Sequence, residues 1–160
     1  MLNQFPTKAD LMVALSESII KERSQAYIDT YRGVDDYRRR FELMMDIMWE
    51  QFKRPGGLVR LEITVAAISD PELKKRFEPQ NAAMDAELRE QTWLAAIQIG
   101  ITDRTALDHV VTQSMASLRG LAIDLLYPRP GCDTEAAFVL IKKTHMEAVD
   151  RLVKAGKAKR

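Results

Sequence analysis

Apolar residues recur at steps of three and four along nearly the whole chain, and the two-residue alternation of strands is sustained nowhere. Residues at this spacing share one face of an α-helix. The pattern is densest between Asp35 and Lys53, where it consists of Tyr37, Phe41, Met44, Met45, Met48 and Phe52. Leu43, Ile47 and Trp49 widen the face, so this helix should be buried on most sides. We therefore predict an all-α fold with this helix at its centre.

Capping residues, glycines and prolines divide the chain into six predicted helices. The first three run from about Lys8 to Arg32, from about Asp35 to Lys53, and along Leu58 to Ile68. The fourth begins at Pro71 and is closed by Gly100, the fifth is capped by Thr102 or Asp103 and runs to about Leu126, and the sixth is capped by Asp133. Leu11, Leu15 and Ile19 recur at four-residue steps in the first helix. We expect Pro55-Gly56-Gly57 to break the chain. Pro79 should kink or restart the fourth helix near Glu78, because proline lacks the backbone N–H.

Composition narrows the classes of protein that this chain can belong to. Its 160 residues suit a single domain, and 24 basic against 23 acidic residues leave a net charge of +1. That balance gives no strong field toward nucleic acid. Cys132 is the only cysteine, which fits a cytoplasmic protein. No apolar run approaches the length of a membrane span, so no membrane contact is expected.

No group of residues in the sequence predicts catalysis or metal binding. His109 and His145 are the only histidines, on different helices and without the ligand spacing of a zinc site. We expect no metal and no cofactor, and a partner-facing or hydrogen-bonded role for the histidines. The acidic pairs Asp35-Asp36 and Glu87/Glu90 suit a helix start and a solvated helix face. We therefore do not expect an enzyme.

The segment from Asn3 to Val13 has the features of a junction between two helices. Thr7 is a good N-cap and Asp10 completes a capping box. With Phe5-Pro6-Thr7-Lys8 followed by Leu11, it resembles the end of the DNA-binding head of tetracycline-repressor (TetR) family regulators. The resemblance implies that residues 1–6 are a remnant of that head and that residues 7–160 form a ligand-binding and dimerisation domain.

The resemblance also implies a function, namely that of a ligand-responsive transcriptional regulator, most often a repressor. Operator DNA would be bound only through the missing head, with Gln4 and Lys8 touching no more than the DNA backbone. We expect no sequence-specific DNA binding by the chain as given. The alternative is a stand-alone helical small-molecule-binding or protein-interaction module without a DNA role. The codons upstream of Met1 would distinguish the two.

Methionines on the predicted inner faces suit either an ordinary core or an adaptable apolar pocket. The resemblance to the TetR family favours the pocket, opened by a bend in the helix that carries Pro79. The effector should be a small, mostly apolar molecule, because formal charges are absent from the expected lining. That lining comprises Met44, Met48, Trp49, Phe52, Leu61, Thr64, Asn81, Met84, Leu88 and Gln113.

Small and large residues alternate along the last two predicted helices, which have more apolar surface than one small bundle can cover. A two-fold homodimer with a four-helix interface would bury it, although burial within the monomer is the alternative. Gly120 in mid-helix suggests a close approach of helices. The expected interface comprises Leu118, Gly120, Leu121, Leu125, Phe138, Ile141, His145 and Val149.

Overall fold

Six α-helices form the part of the chain that the structure, a computed structural model, describes: residues 5–158. They are α1 (Lys8–Tyr31), α2 (Tyr37–Lys53), α3 (Pro55–Ser69), α4 (Pro71–Gln98), α5 (Arg104–Leu126) and α6 (Thr134–Ala158). No strand occurs within this range. The predicted all-α fold with six helices is confirmed. None of the six helices is both long and apolar enough to cross a membrane.

Helix α2 lies at the centre of the fold and packs against each of the other five helices. Its buried residues cover most of its circumference, as the sequence predicts: they are Phe41, Met44, Met45, Ile47, Met48 and Trp49. A helix with apolar residues on so many sides must be enclosed by neighbours to keep them from water. The positions of the remaining helices follow from this requirement.

Short polar side chains fix where several helices begin. Thr7 caps α1, with its hydroxyl accepting from the Asp10 amide at 3.1 Å, while the Asp10 carboxylate accepts from the Thr7 amide at 2.9 Å. This reciprocal pair is the predicted capping box. Asp36, Asp70 and Asp103 cap α2, α4 and α5 in a similar way. The predicted starts of α1 and α4 are therefore confirmed.

The predicted break between the second and third helices occurs, but it lies at Arg54 and not within Pro55-Gly56-Gly57. These residues form the first turn of α3, and only Arg54 separates α3 from α2. Proline suits a first helical position because the missing N–H has no partner there. A Cβ at Gly57 would lie 2.0 Å from the carbonyl oxygen of Gln51. Only glycine therefore allows this sharp turn.

Helix α4 is continuous through Pro79, so the expected restart near Glu78 does not occur. Proline deprives the carbonyl four residues earlier of its usual partner, but it does not force a helix to end. Leu73 and Phe77 are buried on one side of the proline, and Thr92 and Ala96 on the other. Packing of both halves against neighbouring helices holds α4 together across this position.

The apolar core is divided into two clusters. The large cluster joins α2, the last part of α4, α5 and α6 around residues such as Met45, Ile101 and Leu118. The small cluster joins α3 and the first part of α4 through Ile63, Ala67, Leu73 and Phe77, with Ala9 and Met12 of α1 against it. Met12 rather than Leu11 or Leu15 faces this cluster, and both leucines are exposed.

Helix α6 is attached to α2 by aromatic stacking and by ion pairs. The Trp49 ring stacks on Phe138 with centroids 5.4 Å apart, and its Nε1 donates to Glu135 at 3.1 Å. Lys142 donates to both Asp46 oxygens, at 2.7 and 2.8 Å. The most extensive helix packing in the fold is that between α5 and α6. Together these contacts make α2, α5 and α6 one unit.

Candidate functional site: a cleft between the two clusters

A cleft of about 390 Å³, within the size range of ligand pockets, is lined by residues of the large cluster such as Met48 and by Arg60, whose guanidinium lies over Phe77 of the small cluster. Five helices contribute to its wall: α1 through Ile19 and Arg23, and α5 through Val111, Thr112, Met115 and Arg119. The remaining lining residues are Met48, Gln51 and Phe52 of α2, Gly57, Arg60, Leu61 and Thr64 of α3, and Asn81, Met84, Asp85, Leu88 and Arg89 of α4.

Seven of the ten residues predicted for a pocket lie in this wall. They are Met48, Phe52, Leu61, Thr64, Asn81, Met84 and Leu88. Helical periodicity found them because each faces inward on its helix. The cleft therefore brings together the part of the prediction that came from α2, α3 and α4.

Three predicted lining residues, Met44, Trp49 and Gln113, lie elsewhere. Met44 lines a second cleft instead. Trp49 is fully buried against Phe138, on the side of α2 that faces α6. Gln113 is exposed, one residue beyond the inward face of α5, where Thr112 lines the wall. The width of the apolar face of α2 misled the prediction, because that face serves two different neighbours.

The prediction that formal charges are absent from the lining is wrong. Arg23, Arg60, Arg89 and Arg119 all contribute to the wall, together with a single acid, Asp85. Arg89 forms an ion pair with Asp108 at 3.4 Å. The cleft is therefore apolar over much of its surface but strongly basic in its charged groups.

Arg60 is partly buried, and neutral groups hold its side chain. Its Nη1 donates to Ser16 Oγ at 3.0 Å, and its Nη2 donates to Asn81 Oδ1 at 2.5 Å. The guanidinium lies 5.4 Å from the Phe77 ring centroid. Burial, together with the nearby charges of Arg23 and Arg119 and against that of Asp85, lowers the pKa of Arg60 to about 10. The group remains a cation at neutral pH.

Spacing in the sequence would have pointed to these arginines. Arg60 stands four residues before Thr64, and Arg23 stands four residues after Ile19, so each shares a helix face with another lining residue. The signal was missed because charged residues on a helix usually belong to its solvated face.

A second cleft of about 390 Å³ adjoins the first and lies mainly between α1 and α4. The two share Arg23, Met84 and Leu88. Aromatic residues of α1, Tyr27 and Tyr31, line the second cleft. The Tyr27 hydroxyl is buried without a hydrogen-bond partner in the described part of the chain, and burial raises its pKa to about 12. Helix α1 thus lies beside both clefts.

Most residues predicted for a dimer interface are buried within the monomer. Leu118, Leu121, Phe138, His145 and Val149 belong to its interior, while Leu125 and Ile141 are half-buried. The monomer itself covers the five buried residues, which corrects their assignment to an interface, whereas that of Leu125 and Ile141 stays a prediction. Of the predicted set only Gly120 is exposed, and a Cβ there would meet no atom within 4 Å. The apolar residues exposed on these helices are Ile123, Val139 and Leu140.

His145 is a buried, hydrogen-bonded residue. Its Nδ1 lies 2.8 Å from Ser114 Oγ, and the Ser114 hydroxyl donates to the Val110 carbonyl at 2.9 Å. The serine oxygen must therefore accept from an Nδ1–H, which makes Nε2 the unprotonated nitrogen. Nε2 is buried without a partner among the described residues. Burial lowers the pKa of His145 to about 4.

The two residues predicted to touch the DNA backbone lie at the start of the chain. Gln4 falls outside the described residues, and Lys8 is exposed at the first position of α1. Within residues 5–158, no three side chains of His, Cys, Asp or Glu are grouped so as to hold a metal ion. Comparison with protein-family models, with curated proteins and with solved structures finds no match to this chain.

We predict that protonation of His145 destabilises the fold. Its pKa falls from 6.5 to about 4 on folding, so its contribution is complete above pH 6.5 and is lost as the pH drops toward 4. The loss should reach roughly 3 kcal/mol at about 1.4 kcal/mol for each pKa unit. Urea unfolding of wild type and His145→Asn should differ in pH dependence over this window. His109→Asn, at an exposed histidine, is the control, and equal slopes in all three proteins would contradict the prediction.

Proposed function

We propose that this chain is the effector-binding and dimerisation part of a ligand-responsive transcriptional regulator of the TetR type, working as a repressor. The cleft between the two apolar clusters is the effector site. The observation that carries the proposal is the position of α1, which lines the effector cleft through Ile19 and Arg23. In the TetR family regulators that the chain resembles, the corresponding helix links the pocket to the DNA-binding head.

A ligand in the cleft must contact α1 and therefore favours one position of that helix over another. It shifts the equilibrium between two states only through its different affinities for them. Phe5, just before α1, and Leu11 and Leu15 in its first two turns expose their apolar side chains. In the proposed regulator this surface packs against the DNA-binding head, and operator DNA is bound through that head alone. Such a regulator works in the cytoplasm.

The proposed homodimer uses the outer faces of α5 and α6. Val139 and Leu140 are 65% and 63% exposed, and Ile123 is 49% exposed. Gly120 lies on the same outer side of α5 and leaves room for a close crossing of helices. Two copies related by a two-fold axis would bury these residues in a four-helix interface. The interface keeps the two helices of the sequence prediction but uses their opposite faces.

The second candidate is a stand-alone helical module that binds a small molecule and has no DNA role. The net charge of +1 favours it, because a balanced chain is not drawn to DNA. Both candidates need the same cleft. They differ in whether ligand binding changes affinity for an operator when the chain is joined to a DNA-binding head.

Filling the cleft should abolish ligand binding and leave the fold intact. Met84 lies where the two clefts meet, so Met84→Trp places a large ring in open space, and its cost should not exceed about 1–3 kcal/mol. We expect the neutral dye Nile red to fluoresce on binding wild type but not Met84→Trp. Ile68→Trp, at an exposed site on α3, should bind the dye as wild type does. Equal fluorescence from all three proteins would exclude the cleft as the site.

Gly120→Leu should convert the dimer into a folded monomer. Leucine prevents close helix approach across the proposed interface, yet inside the monomer its Cβ meets no atom within 4 Å. Replacing a mid-helix glycine should even stabilise the monomer by up to about 1 kcal/mol. Sedimentation equilibrium at tens of micromolar measures the change, with Ala83→Leu on the exposed face of α4 as the control. A monomeric wild type, or a dimeric Gly120→Leu variant, would refute the interface.

A further inference from the structure

The positive charges of the effector cleft are not balanced by its own acids. Arg89 is paired with Asp108, which leaves Arg23, Arg60 and Arg119 facing Asp85. None of these three arginines forms an ion pair with a carboxylate within residues 5–158. Asp85 acts on Arg60 through its field and not through a contact. The wall therefore carries an excess of positive charge where water is partly excluded.

Arg60 is also held ready to bind. Groups from two other helices, Ser16 of α1 and Asn81 of α4, accept its hydrogen bonds, and Ser16 is fully buried. These neutral acceptors orient the guanidinium but do not cancel its charge. A partly desolvated cation without a counter-charge is costly, and an anion that enters the cleft removes that cost. A planar guanidinium also matches the oxygens of a carboxylate or a phosphate.

The rest of the wall is apolar. Met48 and Phe52 of α2, Leu61 of α3, Leu88 of α4 and Met115 of α5 surround the same space. Unbranched methionines adapt to ligands of different shape. The cleft thus places an apolar surface beside a fixed, uncompensated cation.

We propose that the effector is an amphipathic anion, with its anionic oxygen group on Arg60 and its apolar body against Met48, Phe52 and Leu61. The inference rests on the proposed effector site and names the class of ligand that fills it. Arg23 and Arg119 line the same cleft, and their positive charges strengthen the attraction for the anion. An apolar ligand without an anion would leave Arg60 uncompensated and more deeply desolvated. A cation would be repelled by the excess of arginines.

Three ligands with the same ten-carbon chain test the proposal by calorimetric titration of the full chain: decanoate, decanol and decyltrimethylammonium, all below their aggregation limits. We expect decanoate to bind at least ten times more tightly than decanol, and the cation to show no binding. Inorganic phosphate alone, which lacks the apolar body, should bind far more weakly than decanoate. Added salt should weaken the binding of decanoate and leave that of decanol nearly unchanged.

Arg60→Gln should weaken the binding of decanoate at least tenfold and change the affinity for decanol less than twofold. Arg119→Gln provides an independent variant at an exposed side chain whose loss does not disturb the interior, and it should weaken decanoate several-fold. Arg151→Gln removes one positive charge from the exposed face of α6, outside the cleft, and should bind all ligands as wild type does.

The outcomes separate the two proposals. The anion inference would be overturned by equal affinities for decanoate and decanol. It would also be overturned if Arg60→Gln and Arg119→Gln both bound decanoate as tightly as wild type. In either case, binding of decanol in the cleft would still support the effector site. If none of the three ligands bound, or if Met84→Trp bound them as wild type does, the effector site itself would be refuted and the anion inference with it.

Discussion

The burial of α2 on most of its sides is the constraint on which the rest of this structure depends. Six of its seventeen residues are buried, including the fully enclosed Met45 and Trp49. No single neighbour can cover such a helix, so α1, α3, α4, α5 and α6 surround it. Two faces of α2 have different roles. The face around Trp49 and Asp46 attaches α6, whereas Met48 and Phe52 face the cleft.

The cleft exists because the apolar residues around α2 do not form one continuous core. Helix α3 turns away directly after α2, at the crossing that Gly57 permits, and joins the first part of α4 in the small cluster. The second part of α4 packs into the large cluster. Continuity of α4 through Pro79 therefore bridges the two clusters. The space between them is lined from both sides, with Arg60 on the side of the small cluster and Met48 on the other.

Helical periodicity and capping chemistry predicted much of the fold. The six helices, the central position of α2 and the capping box of Thr7 and Asp10 all follow from local rules that read one segment at a time. Local rules misplaced the start of α3 at Pro55 and offered a restart of α4 at Pro79 that does not occur. Proline is tolerated in the first turn of a helix, and tertiary packing overrides it elsewhere. What surrounds a helix determines whether a proline ends it.

The candidate site was predictable only where apolar character marks the inward face. Five lining residues follow from that rule, and the polar Thr64 and Asn81 share a helix face with them. The rule cannot tell which neighbour an inward face meets, and so it placed Trp49 in the cleft and His145 at an interface. A rule based on apolar character also overlooks any charged residue that lies on an inward face. Arg60 shares a face with Thr64, yet its partners Ser16 and Asn81 are 44 and 21 residues away along the chain. Only the tertiary fold brings them together.

A crystal structure of the chain with 10-bromodecanoate would test the central claim most directly, because the bromine is located by its anomalous scattering. The account predicts the carboxylate within hydrogen-bonding distance of the Arg60 guanidinium and the bromine in the apolar part of the cleft, between α2 and α4. The account would be contradicted if bromine were found only at the exposed faces of α1 or of α5 and α6 while protein side chains filled the cleft.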